Sequence, residues 1–311
     1  MFGFGGGITF KPDTDIPDLS SKVILVTGGN NGLGKESVRQ FAKHGAKVYM
    51  GARSEKKATD AIAEIKQSLP NANIAFLEFD LTSFDSLKSA SQNFLAENDR
   101  LDILMNNGGI MAGPRGVTKE GYEMQFGTNH VGHALLTRLL MPVLEKTAAE
   151  QDSDVRIINL TSNSQELFAP KAGLLLDKVK TDMESTGPLT CYGHSKLANV
   201  YFTKGLAKHY PQIKSVAVHP GGVQTGLSAR LYATYPRFKP ILLLMRLAFA
   251  DVSVGAHGQL WASTATSADV QNGALYYPVA KEHEGRPLMN DPEMVDSLWD
   301  WTETELKTHG F

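Results

Sequence analysis

The stretch Val23–Gly34, VILVTGGNNGLG, decides the fold of this 311-residue chain. A continuous apolar run, typical of a strand covered by helices on both faces, leads directly into a glycine-rich turn and then a helical pattern. Glycines at such a turn let the backbone bend tightly and approach a phosphate group closely. Because the first N–H groups of a helix attract an anion, the stretch predicts a strand–turn–helix unit that binds the pyrophosphate of a dinucleotide.

Strands and helices alternate along most of the remaining chain. Seven strands are predicted, at Lys22–Thr27, Lys47–Gly51, Ile74–Phe79, Asp102–Asn106, Val155–Leu160, Ser215–His219 and Ala274–Pro278. Helical spacing of apolar residues fills most intervals, as at Gly34–His44, Glu55–Ser68 and Phe84–Asn98. The alternation predicts an α/β protein with one doubly wound, Rossmann-type domain, whose mainly parallel seven-stranded sheet has helices on both faces.

The sequence predicts one domain after a short arm. Residues 1–20 are rich in glycine, phenylalanine, proline and aspartate and form the arm, and residues 21–311 form the domain, since no linker, repeat or charge block follows. Residues 226–251 interrupt the alternation with an aromatic, apolar and basic segment. Two interpretations of this segment stay open, a substrate lid inserted before the last strand or an ordinary pair of packing helices.

Composition argues against several classes of function. A net charge of −2 does not indicate the basic patch or stripe that a nucleic-acid partner would require. The one cysteine, Cys191, forms neither an internal disulfide nor a thiolate cage for metal. The longest apolar stretch, Pro240–Ala250, is shorter than the ~20 residues of a membrane span and contains Arg246. We therefore expect a cytoplasmic protein without a signal peptide or transmembrane segment, with peripheral membrane association left open.

The end of the second predicted strand indicates the cofactor. The segment Tyr49–Ser54 lacks the carboxylate that binds the ribose 2′-hydroxyl of NAD, and it carries Arg53. An arginine at this place suits the 2′-phosphate of NADP, which a guanidinium binds with two parallel hydrogen bonds. A solvated surface charge is the alternative for Arg53. The sequence therefore predicts NADP(H), with Lys35 or Lys57 as assisting cations.

Tyr192 and Lys196 are the candidate acid–base pair. Four residues apart, they share one face of a predicted helix. Tyrosine, with an ordinary pKa of about 10, exchanges protons poorly at neutral pH, and a nearby ammonium lowers that pKa. The lowered value suits proton exchange with an alcohol or carbonyl oxygen. A surface lysine beside a core tyrosine is the alternative, because this spacing alone is common by chance.

The order of the motifs resembles the short-chain dehydrogenase/reductase family. The motifs are the glycine turn, Asn106–Gly109, Asn129, Ser162, the Tyr192–Lys196 pair and Pro220–Gly221, and they extend roughly from Ser21 to Tyr277. The phrases TNHVGHALLT, YGHSKLANVYFT and HPGGVQT are similar to the retinol-dehydrogenase-like branch. The leader PDTDIPDLSSKVILVTGGNNGLGK is similar to fungal members of that branch.

The resemblance implies a catalytic tetrad of Asn129, Ser162, Tyr192 and Lys196. Tyr192 would be the general acid/base, and Lys196 would lower its pKa and bind the nicotinamide ribose. Ser162 would hydrogen-bond the substrate oxygen, and Asn129 would hold a water that links Lys196 to solvent.

The resemblance also implies a cofactor site. Its residues would be Gly28, Asn30, Asn31, Gly32, Leu33, Gly34, Arg53, Asp80, Leu81, Asn107, Gly108, Gly109, Tyr192, Lys196, Pro220, Gly221, Val223 and Thr225. Asp80 and Leu81 would meet the adenine, and residues 107–109 would line the adenosine side. Residues 220–225 would form a wall at the nicotinamide.

Two features depart from the family pattern. Gly108 replaces the alanine of the usual N-N-A-G phrase, which should preserve the close backbone approach. The 30-residue gap from Ser162 to Tyr192 is longer than in the shortest members, and the retinol-dehydrogenase-like branch has a similar insertion. Thr161 and Ser164 are neighbouring hydroxyls, so the choice of Ser162 depends on the alignment of motifs.

Three histidines and the cysteine have weaker claims to function. His130 and His133 lie three apart on a predicted helix, but no third ligand accompanies them and no metal site is expected. Cys191 has no base of its own, although it adjoins the tyrosine. His194 falls on a different helix face from Tyr192 and is predicted to be structural.

The motifs predict an NADP(H)-dependent oxidoreductase that interconverts a ketone or aldehyde and its alcohol. The aromatic segment before the last strand indicates a small lipophilic substrate. One alternative is a catalytically silent NADP(H)-binding regulatory protein of the same fold, and another is a reaction without net redox change. Because members of the family often dimerise, the resemblance also admits a homodimer.

Overall fold

One sheet of eight strands forms the centre of the computed structural model, which describes residues 7–224 and 249–311. The strands are β1 (Val23–Thr27), β2 (Lys47–Ala52), β3 (Ile74–Glu78), β4 (Ile103–Asn106), β5 (Arg156–Leu160), β6 (Lys214–Val218), β7 (Leu275–Tyr277) and β8 (Lys281–Glu282). Their order is β3-β2-β1-β4-β5-β6-β7-β8, and only the β7–β8 pair is antiparallel. The predicted mainly parallel sheet is confirmed, and β8, too short to leave a sequence pattern, is the eighth strand.

Helices connect the strands and cover both faces of the sheet. They are α1 (Pro12–Asp15), α2 (Gly32–Lys43), α3 (Glu55–Ser68), α4 (Phe84–Glu97), α5 (Met124–Phe126), α6 (Gly132–Ala148), α7 (Ser164–Leu167), α8 (Pro188–His209), α9 (Val252–Gly255), α10 (His257–Thr264) and α11 (Pro292–Thr308). A π-helical turn, Gly127–Val131, joins α5 to α6. In the described ranges, no helix combines the length and the apolar character that crossing a membrane requires.

Strand β1 shows why the sheet is buried on both sides. Successive side chains of a strand point to opposite faces. Ile24 and Val26 pack with the apolar side chains of α2, α3 and α10, whereas Leu25 packs with those of α4, α6, α8 and α11. All three residues are fully buried, so the continuous apolar run serves two cores.

The described part of the predicted arm lies against the domain. Phe10, Ile16 and Leu19 are buried and belong to the same core as α2 and α3. The apolar residues of this stretch therefore contribute to the packing of the domain, although its composition resembles that of a linker.

The strand order reverses between β1 and β4, which lie side by side in parallel. In a doubly wound sheet, the crevice at such a reversal lies outside the carboxyl ends of the strands and is the usual place for a ligand. The turn after Thr27 and the segment after Asn106 therefore meet at the edge where a dinucleotide site is expected.

Candidate active site

Glycines shape the turn between β1 and α2. Gly28 and Gly32 adopt φ angles of 64° and 53°, a region that side chains rarely tolerate. A Cβ atom on Gly34 would lie 2.4 Å from the carbonyl oxygen of Gly28, so the turn closes only over a bare backbone. The side chain of Asn31 caps α2 by accepting a hydrogen bond from the Gly32 N–H at 2.8 Å. A glycine-rich turn at a helix N-terminus fits a pyrophosphate.

The segment after β4 lies directly against this turn. The side-chain amide of Asn107 donates to the carbonyl oxygen of Thr27 at 2.8 Å, and the Gly108 N–H donates to the Thr27 hydroxyl at 2.7 Å. A Cβ on Gly28 would lie 2.8 Å from the Cα of Gly108. A Cβ on Gly108 would lie 3.0 Å from the side chain of Leu81, so the glycine in place of alanine lets Leu81 pack closely here.

Arg53 stands at the rim of the crevice, just after β2. Its side chain is 61% exposed, and its guanidinium lies 4.0 Å from one carboxylate oxygen of Asp80. The other Asp80 oxygen accepts hydrogen bonds from the N–H and the hydroxyl of Thr82. Lys35, by contrast, pairs with Glu64 at 2.5 Å. Of the two cations, Arg53 therefore forms the longer ion pair with a carboxylate.

Tyr192 and Lys196 lie one turn apart on α8 and are each 5% exposed. The Lys196 Nζ donates to the carbonyl oxygen of Leu160 at 2.9 Å and lies 5.8 Å from the centroid of the Tyr192 ring. Because Leu160 is the last residue of β5, the ammonium is held at the carboxyl edge of the sheet. The pair therefore occupies the same edge as the glycine turn.

Burial dominates the acid–base properties of this pair. It raises the pKa of Tyr192 to about 12, and a hydrogen bond with Ser162 opposes the rise. Burial likewise lowers the pKa of Lys196 from 10.5 to about 8. The sequence predicts a tyrosine whose pKa is lowered by lysine, whereas in this structure withdrawal from water sets the pKa and keeps the phenol protonated at neutral pH.

Asn129 lies at the centre of the π-helical turn and is fully buried. Its side-chain oxygen accepts from the Ile110 N–H at 2.9 Å, and its amide donates to the Ile110 carbonyl at 3.0 Å and to the Ser195 hydroxyl at 2.9 Å. A Cβ on Gly109 would lie 3.0 Å from this side-chain oxygen and 3.6 Å from Lys196 Nζ. The segment after β4 therefore brings Asn129 and Lys196 together.

Three hydroxyls follow β5, and the structure distinguishes them. Thr161 is buried, with its hydroxyl 2.7 Å from the Gln165 side-chain oxygen and 2.8 Å from the Lys196 carbonyl oxygen. Ser162 is half-buried, and its side chain opposes the rise in the pKa of Tyr192. The hydroxyl of Ser164 lies 2.8 Å from that of Ser162. Of the three hydroxyls, Ser162 is therefore the one that influences the pKa of Tyr192.

Gly193, which the sequence reasoning missed, sets the position of this serine loop. A Cβ on Gly193 would lie 2.5 Å from the Ser164 carbonyl oxygen and 2.7 Å from the Ala169 backbone nitrogen. The loop thus packs directly on α8 beside the tyrosine. A glycine inside a helical pattern was the available signal, since it weakens a helix unless close packing requires it.

The segment after β6 is described up to Gln224. Pro220 and Gly221 are half-buried, and Gly221 has a φ of 83°. Val223 pairs with Ala250, and its side chain would lie 2.5 Å from a Cβ on Gly255. The predicted cofactor residue Thr225 lies outside the described residues, as does the predicted lid, 226–251, apart from 249–251.

The described ranges contain no group of three or more His, Cys, Asp or Glu side chains arranged to hold a metal ion. Burial raises the pKa of the Cys191 thiol to about 12, which leaves it protonated and unreactive at neutral pH. The polar groups that meet at this edge of the sheet include the Tyr192 phenol, the Lys196 ammonium and the Ser162 hydroxyl.

Comparison with known proteins gives consistent matches. A family model described as short chain dehydrogenase matches residues 22–172. A short-chain dehydrogenase/reductase of Armillaria gallica is 38% identical over 298 residues, covering 95% of this chain and 93% of that protein. Mouse retinol dehydrogenase 12 is 32% identical over 305 residues, covering 95% and 88%. A solved structure of an uncharacterized protein from Mycobacterium paratuberculosis has a TM-score of 0.72 at 25% identity, covering 95% and 96%.

Proposed function

Because this chain belongs to the short-chain dehydrogenase/reductase family of oxidoreductases, we propose that it interconverts a ketone or aldehyde and the corresponding alcohol with NADP(H). The observation that carries the proposal is the buried pair of Tyr192 and Lys196 beside the glycine turn. The Lys196 Nζ lies within 3.6 Å of where a Cβ on Gly109 would stand, so the acid–base pair adjoins the backbone proposed to line the cofactor.

The proposed cofactor site uses the residues that the family pattern implies. The turn 28–34 offers the pyrophosphate cradle, residues 107–109 adjoin it, and Leu81 packs against Gly108. Residues 220–225 would complete the wall at the nicotinamide. The bound cofactor would supply or accept the hydride, while the chain positions the reactants and moves the proton.

The preference for NADP(H) rests on Arg53. Its guanidinium stands exposed after β2, where the ribose of a dinucleotide is expected, and a 4.0 Å contact with Asp80 leaves it available to a phosphate. A bidentate guanidinium matches the geometry of the 2′-phosphate. Lys57 remains a candidate second cation.

Tyr192 is the proposed general acid for reduction. With its pKa raised to about 12, the phenol is protonated at neutral pH, which is the form that donates to a developing alkoxide. Ser162 would hydrogen-bond the same oxygen and so hold the substrate against the phenol. Lys196 would bind the ribose hydroxyls, and Asn129 would hold the water that links the lysine to solvent.

The proposed substrate is small and lipophilic. The loop that carries Ser162 continues into Leu167 and Phe168, which are 61% and 41% exposed. Exposed apolar side chains next to a reacting group favour the binding of an apolar ligand. They support a lipophilic carbonyl compound independently of the aromatic segment that follows residue 225.

A panel of lipophilic aldehydes and ketones tests the proposal. NADPH absorbance should fall with at least one member of the panel, and the product should be the corresponding alcohol. Intact NADPH binding without turnover of any member would instead support the silent regulatory alternative. A product without net redox change would point to the other alternative. Light scattering of the purified chain tests the homodimer, which stays a prediction.

A further inference from the structure

His133, in the first turn of α6, contacts both halves of the proposed site. Its side chain is 2% exposed. The Nδ1 atom lies 3.0 Å from the carbonyl oxygen of Asn129, and the Nε2 atom lies 2.8 Å from the hydroxyl of Thr27. Asn129 belongs to the proposed tetrad, and Thr27 immediately precedes the first glycine of the phosphate turn. One buried ring therefore joins the tetrad to the cofactor turn.

The chemistry of the groups fixes where the protons lie. A carbonyl oxygen only accepts, so the Nδ1 of His133 carries the proton that bonds to Asn129. Burial lowers the pKa of His133 to about 4, so the ring is neutral at physiological pH and its Nε2 accepts. The Thr27 hydroxyl then donates to Nε2, and its oxygen accepts the Gly108 N–H at 2.7 Å. The chain of hydrogen bonds runs in one direction, from Gly108 to Asn129.

We propose that His133 is a positioning residue that locks the phosphate turn to the helical turn of Asn129, so that cofactor and acid–base pair keep a fixed separation. The proposal rests on the proposed function. Beyond Asn129, the link continues through its hydrogen bond to the Ser195 hydroxyl, next to Lys196. At the other end, Thr27 anchors the segment after β4.

His130 provides a matched comparison three residues away. It is equally buried, but its Nε2 lies 3.2 Å from the hydroxyl of Thr302 on α11. Its ring also packs against Phe126 and Phe202, with centroids 5.1 and 5.4 Å away. The two histidines therefore face different partners, and only His133 lies between the turn and the tetrad.

The protonation of the ring tests the proposal without any turnover. Nitrogen NMR of protein with ¹⁵N-labelled histidine should show His133 with its proton on Nδ1 and a bare Nε2, both free and with NADP bound. His133→Phe identifies the signal. A proton on Nε2 would overturn the proposal, because the Thr27 hydroxyl and the Asn129 carbonyl would then be bonded differently.

Two substitutions separate the ends of the link. Asparagine places its amide near the Nδ1 position, so His133→Asn keeps the bond to Asn129 and loses that to Thr27. Glutamine reaches the Nε2 position, so His133→Gln does the reverse. His133→Asn should chiefly raise the Kd for NADPH, and His133→Gln should chiefly lower kcat, each by about tenfold.

The control is His130→Asn, which should change neither quantity beyond twofold. If both His133 variants lose NADPH affinity and kcat by equal factors, or if neither variant loses any, the histidine is merely structural. The Kd for NADPH is measured by fluorescence titration and the protonation of His133 by NMR. Both measurements still test the proposal if the protein shows no turnover. The proposed function fails separately, when no carbonyl compound is turned over.

Discussion

The two sides of the crevice are built by different means. On the cofactor side, backbone meets backbone, since a Cβ on Gly28 would lie 2.8 Å from the Cα of Gly108. On the substrate side, the backbone contact at Gly193 is joined by side chains that hold the loop after β5, because the carboxylate of Glu166 accepts from Tyr277 at 2.8 Å and lies 2.6 Å from the Nε2 of His283. The first arrangement needs glycine at fixed positions, whereas the second uses partners more than a hundred residues away.

This difference explains why the two sides of the crevice are not equally recognisable in the sequence. A backbone contact tolerates no side chain, so it leaves a glycine motif that can be recognised locally. A side-chain contact leaves no pattern, because many residue pairs satisfy it on the same fold. The cofactor class is therefore visible in the sequence, while the substrate is not.

The largest expected effect on cofactor binding comes from adding a side chain to the cofactor turn. Gly34→Ala would place a Cβ 2.4 Å from the Gly28 carbonyl oxygen and 2.5 Å from the Asn107 amide nitrogen. We expect the Kd for NADPH to rise about a hundredfold in a fluorescence titration. Gly113→Ala is the control, since no atom lies within 4 Å of its Cβ position. Equal Kd values for the two variants would contradict a backbone cradle.

A smaller effect is expected at the rim of the same side. Arg53→Asp should reduce the preference for NADPH over NADH by about thirtyfold in kcat/KM, because a carboxylate repels the 2′-phosphate and accepts a ribose hydroxyl. Lys56→Asp alters a neighbouring cation that is 84% exposed and should leave the preference unchanged. If the wild-type protein uses NADH and NADPH with equal kcat/KM, the assignment of Arg53 to the 2′-phosphate is wrong.

On the substrate side, Gly193 offers the sharpest perturbation. Gly193→Ala would push the backbone of Ser164 and Ala169 away from α8. We expect kcat to fall about tenfold through displacement of Ser162, with the Kd for NADPH unaffected. Gly258→Ala, whose Cβ would meet Val218 at an ordinary 3.5 Å, is the control in α10. A change in Kd equal to that in kcat would argue that the two sides are not independent.

The last expected effect concerns stability, with binding and turnover left aside. Since burial lowers the pKa of Lys196 from 10.5 to about 8, the folded chain holds this proton less tightly than the unfolded chain. The free energy of unfolding should therefore rise with pH between about 8 and 10.5. Lys196→Met should be about 3 kcal/mol more stable than wild type at pH 7 in urea unfolding, since Asn199 still satisfies the Leu160 carbonyl. A less stable variant would contradict this.

Much of the fold follows from local pattern. The predicted helix Gly34–His44 is found at Gly32–Lys43, and the strand Lys22–Thr27 at Val23–Thr27. Apolar periodicity and the positions of glycines suffice to predict such elements, because each helix or strand buries an apolar face of its own. The two-residue β8 was not predicted, since a short hairpin strand has too few side chains to show a period.

The site was less accessible to sequence reasoning. The π-helical turn around Asn129 depends on packing between distant segments and has no period of its own. In the sequence, His133 was visible only as a weak candidate for a metal-binding pair with His130. Its hydrogen-bond partners Thr27 and Asn129 come close to its ring only after folding. Gly193 carried a visible signal, and its meaning depends on a loop some 25 residues earlier in the chain.

Single-turnover reduction by the Tyr192→Phe variant is the most direct test of the central claim, that a buried tyrosine supplies the proton beside a glycine-built cofactor site. With a carbonyl compound that the wild type reduces, the variant should bind NADPH with an unchanged Kd, and its rate should fall by about a thousandfold. A rate within a few-fold of wild type would contradict the account, because the phenol would then not be the proton donor.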